Sequence, residues 1–189
     1  MRTFIAIELP KEFKEQLAKL QEQLKTSGAD VKWVQPENIH LTLKFLGEID
    51  EQISAKIINI LEKTAHNKNS FYLNLVSLGG FPNMNFPRVI WVGIKKGEGE
   101  TKEIAKELEN EIAQLGIPKE KRAFSSHITL GRVRSGLNRT QLANKLNELT
   151  NDLFKESLPD FKITKITLFK STLTPKGPIY EILKEAQLK

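Results

Sequence analysis

The sequence predicts an α+β protein in which one structural unit is used twice. The first observation is a repeated motif: HLTL begins at His40 and HITL begins at His127, 87 residues later. The second is that this offset carries strand-like and helix-like segments of the first half onto similar segments of the second half. The third is composition: the 189 residues are 39% hydrophobic and 28% charged, as is typical of a globular domain.

Each unit opens with a strand followed by an amphipathic helix. Residues 2–9 (RTFIAIEL) correspond to residues 89–96 (VIWVGIKK), and both are apolar, β-branched or aromatic runs of strand length. Residues 10–24 correspond to residues 97–111, and both place apolar side chains at helical spacing. Pro10 favours a helix start, because its missing N–H is not needed in the first turn.

After the motif strand, each unit continues with a second helix and another strand. Residues 50–67 correspond to residues 137–154, and both have a helical pattern. Residues 71–81 correspond to residues 161–173 at an offset of 90, and both alternate like half-buried strands. A final strand near residues 177–183 is expected to add to a sheet edge.

These correspondences predict a bilobed duplication with two antiparallel-leaning sheets and outer helices, related by a pseudo-two-fold axis, and an active-site cleft between the lobes. A single domain over residues 1–189 is expected, with repeat 1 at about 1–86 and repeat 2 at about 88–189. Such an axis places equivalent residues opposite each other. His40 and His127 are therefore expected to face one another in the cleft.

Charge and cysteine content narrow the function classes. The formal net charge of +6 favours polyanionic partners such as RNA, DNA, nucleotides or an anionic membrane. Because the chain has no cysteine, disulfides, thiol nucleophiles and thiolate metal sites are excluded. The opening MRTFIAIELPKEFKEQ does not resemble a signal peptide, and no apolar run approaches transmembrane length. We therefore expect a cytoplasmic protein that does not enter membranes.

The repeated motif combines an imidazole with a hydroxyl on one face of a strand. Since residues i and i+2 share a face, His40 lies beside Thr42, and His127 lies beside Thr129. A neutral imidazole can remove a proton and a protonated one can donate a proton near neutral pH. The threonine hydroxyls can donate to phosphate oxygens. The set suits acid–base cleavage of a phosphate ester without a metal ion.

Cationic and aromatic residues flank the two motifs. Lys44 continues the histidine face of the first motif, while Arg122, Arg132 and Arg134 flank the second. Their charge suits the binding of phosphate, although solvated surface accounts equally well for Arg134. Spacing alone assigns Phe45 to the core.

The residues resemble the 2H phosphoesterases. The segments HLTLKFLGE, HITLGR and FIAIELP are similar to those of the RNA 2′,3′-cyclic phosphodiesterases, also called 2′-5′ RNA ligases, and the resemblance covers essentially the full length. It implies a bilobed fold with two catalytic histidines in the central cleft, and no cofactor. It also implies metal-independent hydrolysis of a terminal RNA 2′,3′-cyclic phosphate to a 2′-phosphomonoester. RNA with such ends is the partner expected, and no obligate protein partner is implied.

The resemblance further implies a role for individual residues. His40 is the general acid that protonates the departing O3′, and His127 is the general base that activates water. Thr42, Thr129 and Arg132 hold phosphate oxygens.

The same resemblance assigns Phe45 to stacking on the terminal base, which reverses the expectation of a core residue. Lys44 and Arg122 are expected to contact RNA. Phe45 and Arg132 lie at odd spacing from their histidines, so strict alternation would turn them away from the site. A β-bulge, which a neighbouring glycine would permit, is needed to turn them back.

Other functions are compatible with the same sequence. A 2′-5′ RNA ligase would use the same cleft and histidines, with an RNA 5′-hydroxyl in place of water. A non-catalytic RNA-binding module would also be basic and α+β. A metal-dependent phosphodiesterase would need a further ligand such as His66, but a histidine at a helix end more often caps carbonyl groups. No carboxylate cluster accompanies either motif, so no metal is predicted.

Overall fold

The structure is a computed structural model that describes residues 1–155, 159–175 and 177–189. Its helices and longer strands follow the predicted order, whereas the short strand at Val31–Trp33 was not predicted. In chain order they are β1 (Arg2–Glu8), α1 (Lys11–Lys25), β2 (Val31–Trp33), β3 (His40–Glu48), α2 (Glu51–His66), β4 (Phe71–Leu73), β5 (Leu75–Phe81), β6 (Val89–Ile94), α3 (Glu98–Ala113), β7 (His127–Val133), α4 (Arg139–Lys155), β8 (Phe161–Ile163), β9 (Lys165–Thr174) and β10 (Gly177–Gln187).

The main sheet consists of two four-stranded antiparallel halves. One half has the strand order β10-β9-β1-β3, and the other consists of β5, β6, β7 and the short β2. The halves meet where Leu41 of β3 pairs with Ile128 of β7, which we call the seam. The predicted α+β class, with two sheet halves in antiparallel arrangement, is confirmed, and β10 lies at a sheet edge as expected.

Each half of the sheet contains strands from both halves of the chain. β9 and β10 pair beside β1 in one half, while β5 pairs with β6 in the other. β5, from the first half of the chain, thus lies in the sheet half that contains β6 and β7. β9, from the second half of the chain, lies in the sheet half that contains β1 and β3. The sequence pattern did not indicate this exchange, because strand periodicity carries no information about the pairing partner.

Two strand segments predicted as continuous are interrupted in the structure. Asn74 separates β4 from β5, and Thr164 separates β8 from β9. β4 and β8 leave the main sheet and pair with each other, with Phe71 opposite Ile163. Their buried side chains join the core, where Phe161 lies against Phe13 of α1 with the ring centroids 3.9 Å apart.

The helices pack against one face of the main sheet. Inward residues of α1 and α3 belong to the same buried cluster as Ile7, Leu41 and Ile128 of the strands. A separate small cluster, Phe4 with Phe169, packs on the opposite face. We call this opposite face the open face, and it carries the polar residues of the two motifs. No helix among the described residues is long and apolar enough to cross a membrane.

Lys44 occupies the core side of β3 and does not continue the histidine face. Its side chain is 0% exposed, and its Nζ lies 2.8 Å from a carboxylate oxygen of Glu109 on α3. The second oxygen of Glu109 accepts the backbone N–H of Glu120, and Lys44 also donates to the carbonyl of Pro118 at 3.4 Å. The prediction that Lys44 contacts RNA is therefore wrong, because a bulge in β3 turns this side chain inward.

We expect Glu109→Gln to destabilise the protein by about 3 kcal/mol, because it leaves the Lys44 ammonium group buried without a carboxylate. Lys44→Met should cost less, since Glu109 is 21% exposed and can be solvated. The double variant Lys44→Met/Glu109→Gln should recover most of the loss. Urea unfolding of the four proteins measures these differences, and simple additivity of the two single losses would contradict the coupling.

Candidate active site

The seam brings the four polar residues of the two motifs together. β3 and β7 are antiparallel, so the pairing of Leu41 with Ile128 places His40 opposite Thr129 and Thr42 opposite His127. All four lie on the open face, because the paired leucine and isoleucine are fully buried on the other side. The two histidines are diagonal neighbours, about 7–8 Å apart between Cα atoms. The threonines occupy the other diagonal.

Both imidazoles are held by the same backbone contact. Nδ1 of His40 lies 2.7 Å from the carbonyl oxygen of Asn38, and Nδ1 of His127 lies 2.7 Å from the carbonyl oxygen of Ser125. A carbonyl oxygen only accepts, so each Nδ1 carries the hydrogen. Each Nε2 is therefore the nitrogen free to exchange a proton with a ligand.

A β-bulge at the same point of both motif strands breaks the alternation. The register shifts between Thr42 and Lys44 in β3, and between Thr129 and Gly131 in β7. The residue after each shift is buried, and the next one returns to the open face. The bulge that the family resemblance and the odd spacing together predict is thus present in both strands.

The two bulges present different residues at equivalent positions. Phe45 emerges on the open face with 55% of its surface exposed, and Arg132 emerges at the matching position of β7. On the inward side, Lys44 corresponds to Gly131. A side chain at Gly131 would not fit, because its Cβ would lie 2.7 Å from a methyl group of Val31.

A buried glutamine on α1 holds the bulge of β7. Nε2 of Gln21 donates to the carbonyl of Leu130, the extra residue of the bulge, at 2.9 Å, and to the carbonyl of Val34 at 2.8 Å. The backbone N–H of Val34 donates to the same Leu130 carbonyl at 2.9 Å. Gln21 is 2% exposed, so these contacts are shielded from water. Gln21 thereby positions Arg132 without touching it.

Each histidine ring lies against aromatic side chains. His40 contacts Phe4 (4.9 Å between centroids) and meets Tyr180 edge-on at 5.4 Å. His127 meets Phe81 edge-on at 5.2 Å, and Trp91 lies 6.3 Å away.

These four aromatic residues were missed by sequence reasoning. A signal for two of them was present, because the offset of 87 places Phe4 on Trp91, beside the histidine of each motif. No comparable signal marks Tyr180, because β10 has no counterpart in the first half of the chain.

A groove of about 860 Å³ runs over the open face, and we call it the central groove. Its lining includes His40, Thr42, Phe45, Thr129 and Arg132 of the predicted site. His127 lies beside the groove, next to Thr42 across the seam, and is half-buried. Arg122 is exposed in the segment that precedes β7 and does not line the groove. The structure therefore does not bring Arg122 to the other predicted residues.

The two histidines differ in their surroundings. Burial lowers the pKa of His40 below its ordinary value; the hydrogen bond to the Asn38 carbonyl opposes this shift, and the positive charge of Lys14 adds to it. His40 is therefore mostly neutral at pH 7 in the free protein. Burial also raises the pKa of the Tyr180 phenol, against the effect of the nearby Arg2 and Arg132 charges. The phenol consequently stays protonated beside His40.

The structure shows no candidate metal centre in the part of the chain that it describes. No three histidine or carboxylate side chains within residues 1–155, 159–175 and 177–189 lie close enough together to hold an ion. His66 is the last residue of α2, which agrees with a position that caps helix carbonyl groups.

The fold and the paired H-x-T strands are those of a phosphoesterase. A family model described as LigT-like phosphoesterase matches residues 7–91 and matches again over residues 92–180. The chain therefore belongs to the LigT-like phosphoesterase family, as the motif resemblance implied.

Curated relatives match over nearly the whole chain. An RNA 2′,3′-cyclic phosphodiesterase of Methanocaldococcus jannaschii is 41% identical over 98% of this chain and 99% of the relative. A protein with the same description from Thermotoga maritima is 36% identical over 99% of this chain and 95% of its own length.

Solved structures share the fold. The crystal structure of TT0787 of Thermus thermophilus superposes with a TM-score of 0.80 at 28% identity, covering 100% of this chain and 98% of that one. Escherichia coli LigT, crystallised with 3′-AMP, gives a TM-score of 0.77 at 25% identity, covering 99% and 97%.

We expect the pKa of His40 in the free protein to lie below 6.5, and Lys14→Met to raise it by removing a nearby positive charge. Nuclear magnetic resonance titration of the three histidines measures this directly, with Lys19→Met on the exposed side of α1 as the matched control.

The same shift has a consequence for stability. At pH values between the pKa of His40 in the folded protein and its pKa in the unfolded chain, the unfolded chain binds more protons at this residue. The stability that His40 contributes is therefore lost as the pH falls through the pKa of the folded protein. A His40 titration at or above 6.5, or equal shifts in both lysine variants, would contradict this account.

Proposed function

We propose that this protein hydrolyses the terminal 2′,3′-cyclic phosphate of RNA to a 2′-phosphomonoester in the cytoplasm, by metal-independent acid–base catalysis. The observation that carries the proposal is the diagonal placement of two imidazoles, each with Nδ1 bound to a backbone carbonyl and Nε2 left free. Membership of the LigT-like family and relatives described as RNA 2′,3′-cyclic phosphodiesterases support the same reaction.

The diagonal suits an in-line displacement at phosphorus. The attacking and leaving oxygens lie on opposite sides of the phosphorus atom in such a reaction, and the two histidines lie on opposite sides of the site centre. His127 removes a proton from water, the water oxygen bonds to phosphorus, and the P–O3′ bond breaks. His40 donates its proton to O3′. One water is consumed, and both histidines recover their protonation states through solvent.

The acid role of His40 requires the substrate. In the free protein its imidazole is mostly neutral because it is buried near Lys14. A bound cyclic phosphodiester carries a negative charge, which raises the pKa of an adjacent imidazole. Anion binding therefore protonates His40 when a leaving oxygen is present to receive the proton.

The remaining residues act on the phosphate and the base. Thr42 and Thr129 donate hydroxyl hydrogens to the non-bridging oxygens, where negative charge builds up. Arg132 supplies a positive charge at the same end of the groove. Phe45 offers an exposed ring on which the terminal base stacks. Arg122 is left out of the proposed site, because it does not line the groove.

We expect His40→Ala and His127→Ala each to lower kcat by about 10²- to 10⁴-fold on an oligoribonucleotide that ends in 2′,3′-cyclic phosphate, because each removes one proton transfer. The wild type should yield the 2′-phosphate isomer in the presence of EDTA. Product analysis by chromatography identifies the isomer.

His66→Ala is the matched control, since it removes the third histidine of the chain from the exposed end of α2. Equal activity in all four proteins would eliminate two-histidine catalysis. Binding of RNA without any turnover would instead support a non-catalytic RNA-binding module. A product joined to a second RNA through a 2′-5′ linkage would identify ligation.

Phe45→Ala should raise KM about tenfold and change kcat little, because stacking on the base holds the substrate without touching the reacting atoms. Phe86→Ala serves as the control, since Phe86 is 60% exposed and does not line the central groove. The assignment fails if steady-state kinetics show the same KM for both variants.

A further inference from the structure

Two like charges are paired directly across the strands at one end of the central groove. In the antiparallel pairing of β2 with β7, Lys32 lies opposite Arg132, with Val31 opposite Val133 on one side. Residues paired in this way share a face of the sheet, and like charges in this position repel each other. Such a pairing weakens the free protein unless an anion occupies the space between the two side chains.

A third cation lies next to this pair. Arg134 is the residue immediately after the end of β7, and its side chain lines the groove together with those of Arg132 and Lys32. All three are exposed, and none makes an ion pair within the described residues.

The carboxylate that lines the groove does not offset the positive charge of these three side chains. Glu48, one of the lining residues, is paired with the N-terminal ammonium group at 3.3 Å. Lys25, a further cation of the lining, is neutralised by Glu22 at 2.5 Å. The unpaired positive charge of the groove is therefore concentrated at Lys32, Arg132 and Arg134, together with Arg2.

We propose that Lys32 and Arg134 form a second phosphate subsite, next to Arg132, for the phosphate on the 5′ side of the terminal nucleoside. This inference rests on the proposed function. If Arg132 holds the cyclic phosphate, the next phosphate of the RNA chain lies beside Arg132. The groove volume of about 860 Å³ is near the upper end for a small-molecule site, which leaves room beyond one nucleoside. The subsite selects nucleic acid strands over isolated cyclic nucleosides.

The test compares two substrates that differ in a single group. One is a nucleoside 2′,3′-cyclic phosphate with a 5′-hydroxyl, and the other is the same compound with a 5′-phosphate. At low salt the wild type should show a kcat/KM about tenfold higher for the 5′-phosphorylated compound, as expected for charge-assisted hydrogen bonds to one phosphate. Lys32→Gln/Arg134→Gln should abolish this preference and leave the 5′-hydroxyl compound within about twofold of wild type.

Lys19→Gln is the matched control, because it removes an exposed lysine from α1 outside the groove. A structural role for the pair is distinguished by thermal unfolding. Removing Lys32 relieves the repulsion from Arg132, so Lys32→Gln should raise the midpoint slightly. A preference near one in the wild type, or equal losses on both substrates in the double variant, would overturn the subsite.

Binding measurements separate this proposal from the proposed reaction. Calorimetry with a nucleoside 2′-phosphate and the matching 2′,5′-bisphosphate requires no turnover. The 5′-phosphate should tighten binding about tenfold in the wild type and have little effect in the double variant. If neither cyclic compound is hydrolysed but this difference persists, the reaction is wrong and the subsite stands. If the difference is absent, the subsite is wrong whatever the activity.

Discussion

Two strands that begin with the same motif meet at one residue pair, Leu41 with Ile128, and the placement of the polar groups in the groove depends on that contact. Both side chains are fully buried, so the strands cannot slide past one another without exposing them. A shift of either strand by one residue would turn the histidine of that strand into the core. The apolar residue after each histidine therefore fixes the relative position of the two imidazoles and the two threonine hydroxyls.

The bulge that follows the threonine brings a third residue of each motif strand to the open face. Because the register shifts at the same point in both strands, Phe45 and Arg132 return to the face from which strict alternation would exclude them. The same shift turns the preceding residue inward, where Lys44 needs Glu109 as a partner and Gly131 leaves no side chain to accommodate. The inward position that the bulge creates is thus occupied by an ion-paired lysine in β3 and by a glycine in β7.

The repeated motif gives two similar histidine sites, and the side chains that surround the two imidazoles differ. His40 is enclosed by Phe4 and Tyr180 near Lys14, which favours its neutral form in the free protein. His127 lies beside Phe81 at the edge of the groove. Tyr180 belongs to β10, which has no counterpart in the first half of the chain. The final strand therefore contributes to the difference between the surroundings of His40 and those of His127.

The amino-acid sequence was sufficient to predict the repeated order of strands and helices, the α+β class, and the pairing of each histidine with a threonine, because these depend on short-range periodicity within one segment. The family resemblance, combined with the odd spacing of Phe45 and Arg132 from their histidines, also predicted a bulge. Three features became evident only from the folded protein: β5 and β9 join the sheet of the opposite half, Lys44 is buried, and Arg122 lies outside the groove. Those outcomes depend on contacts between segments distant in the chain. Local patterns of polarity do not encode such contacts, whereas packing does.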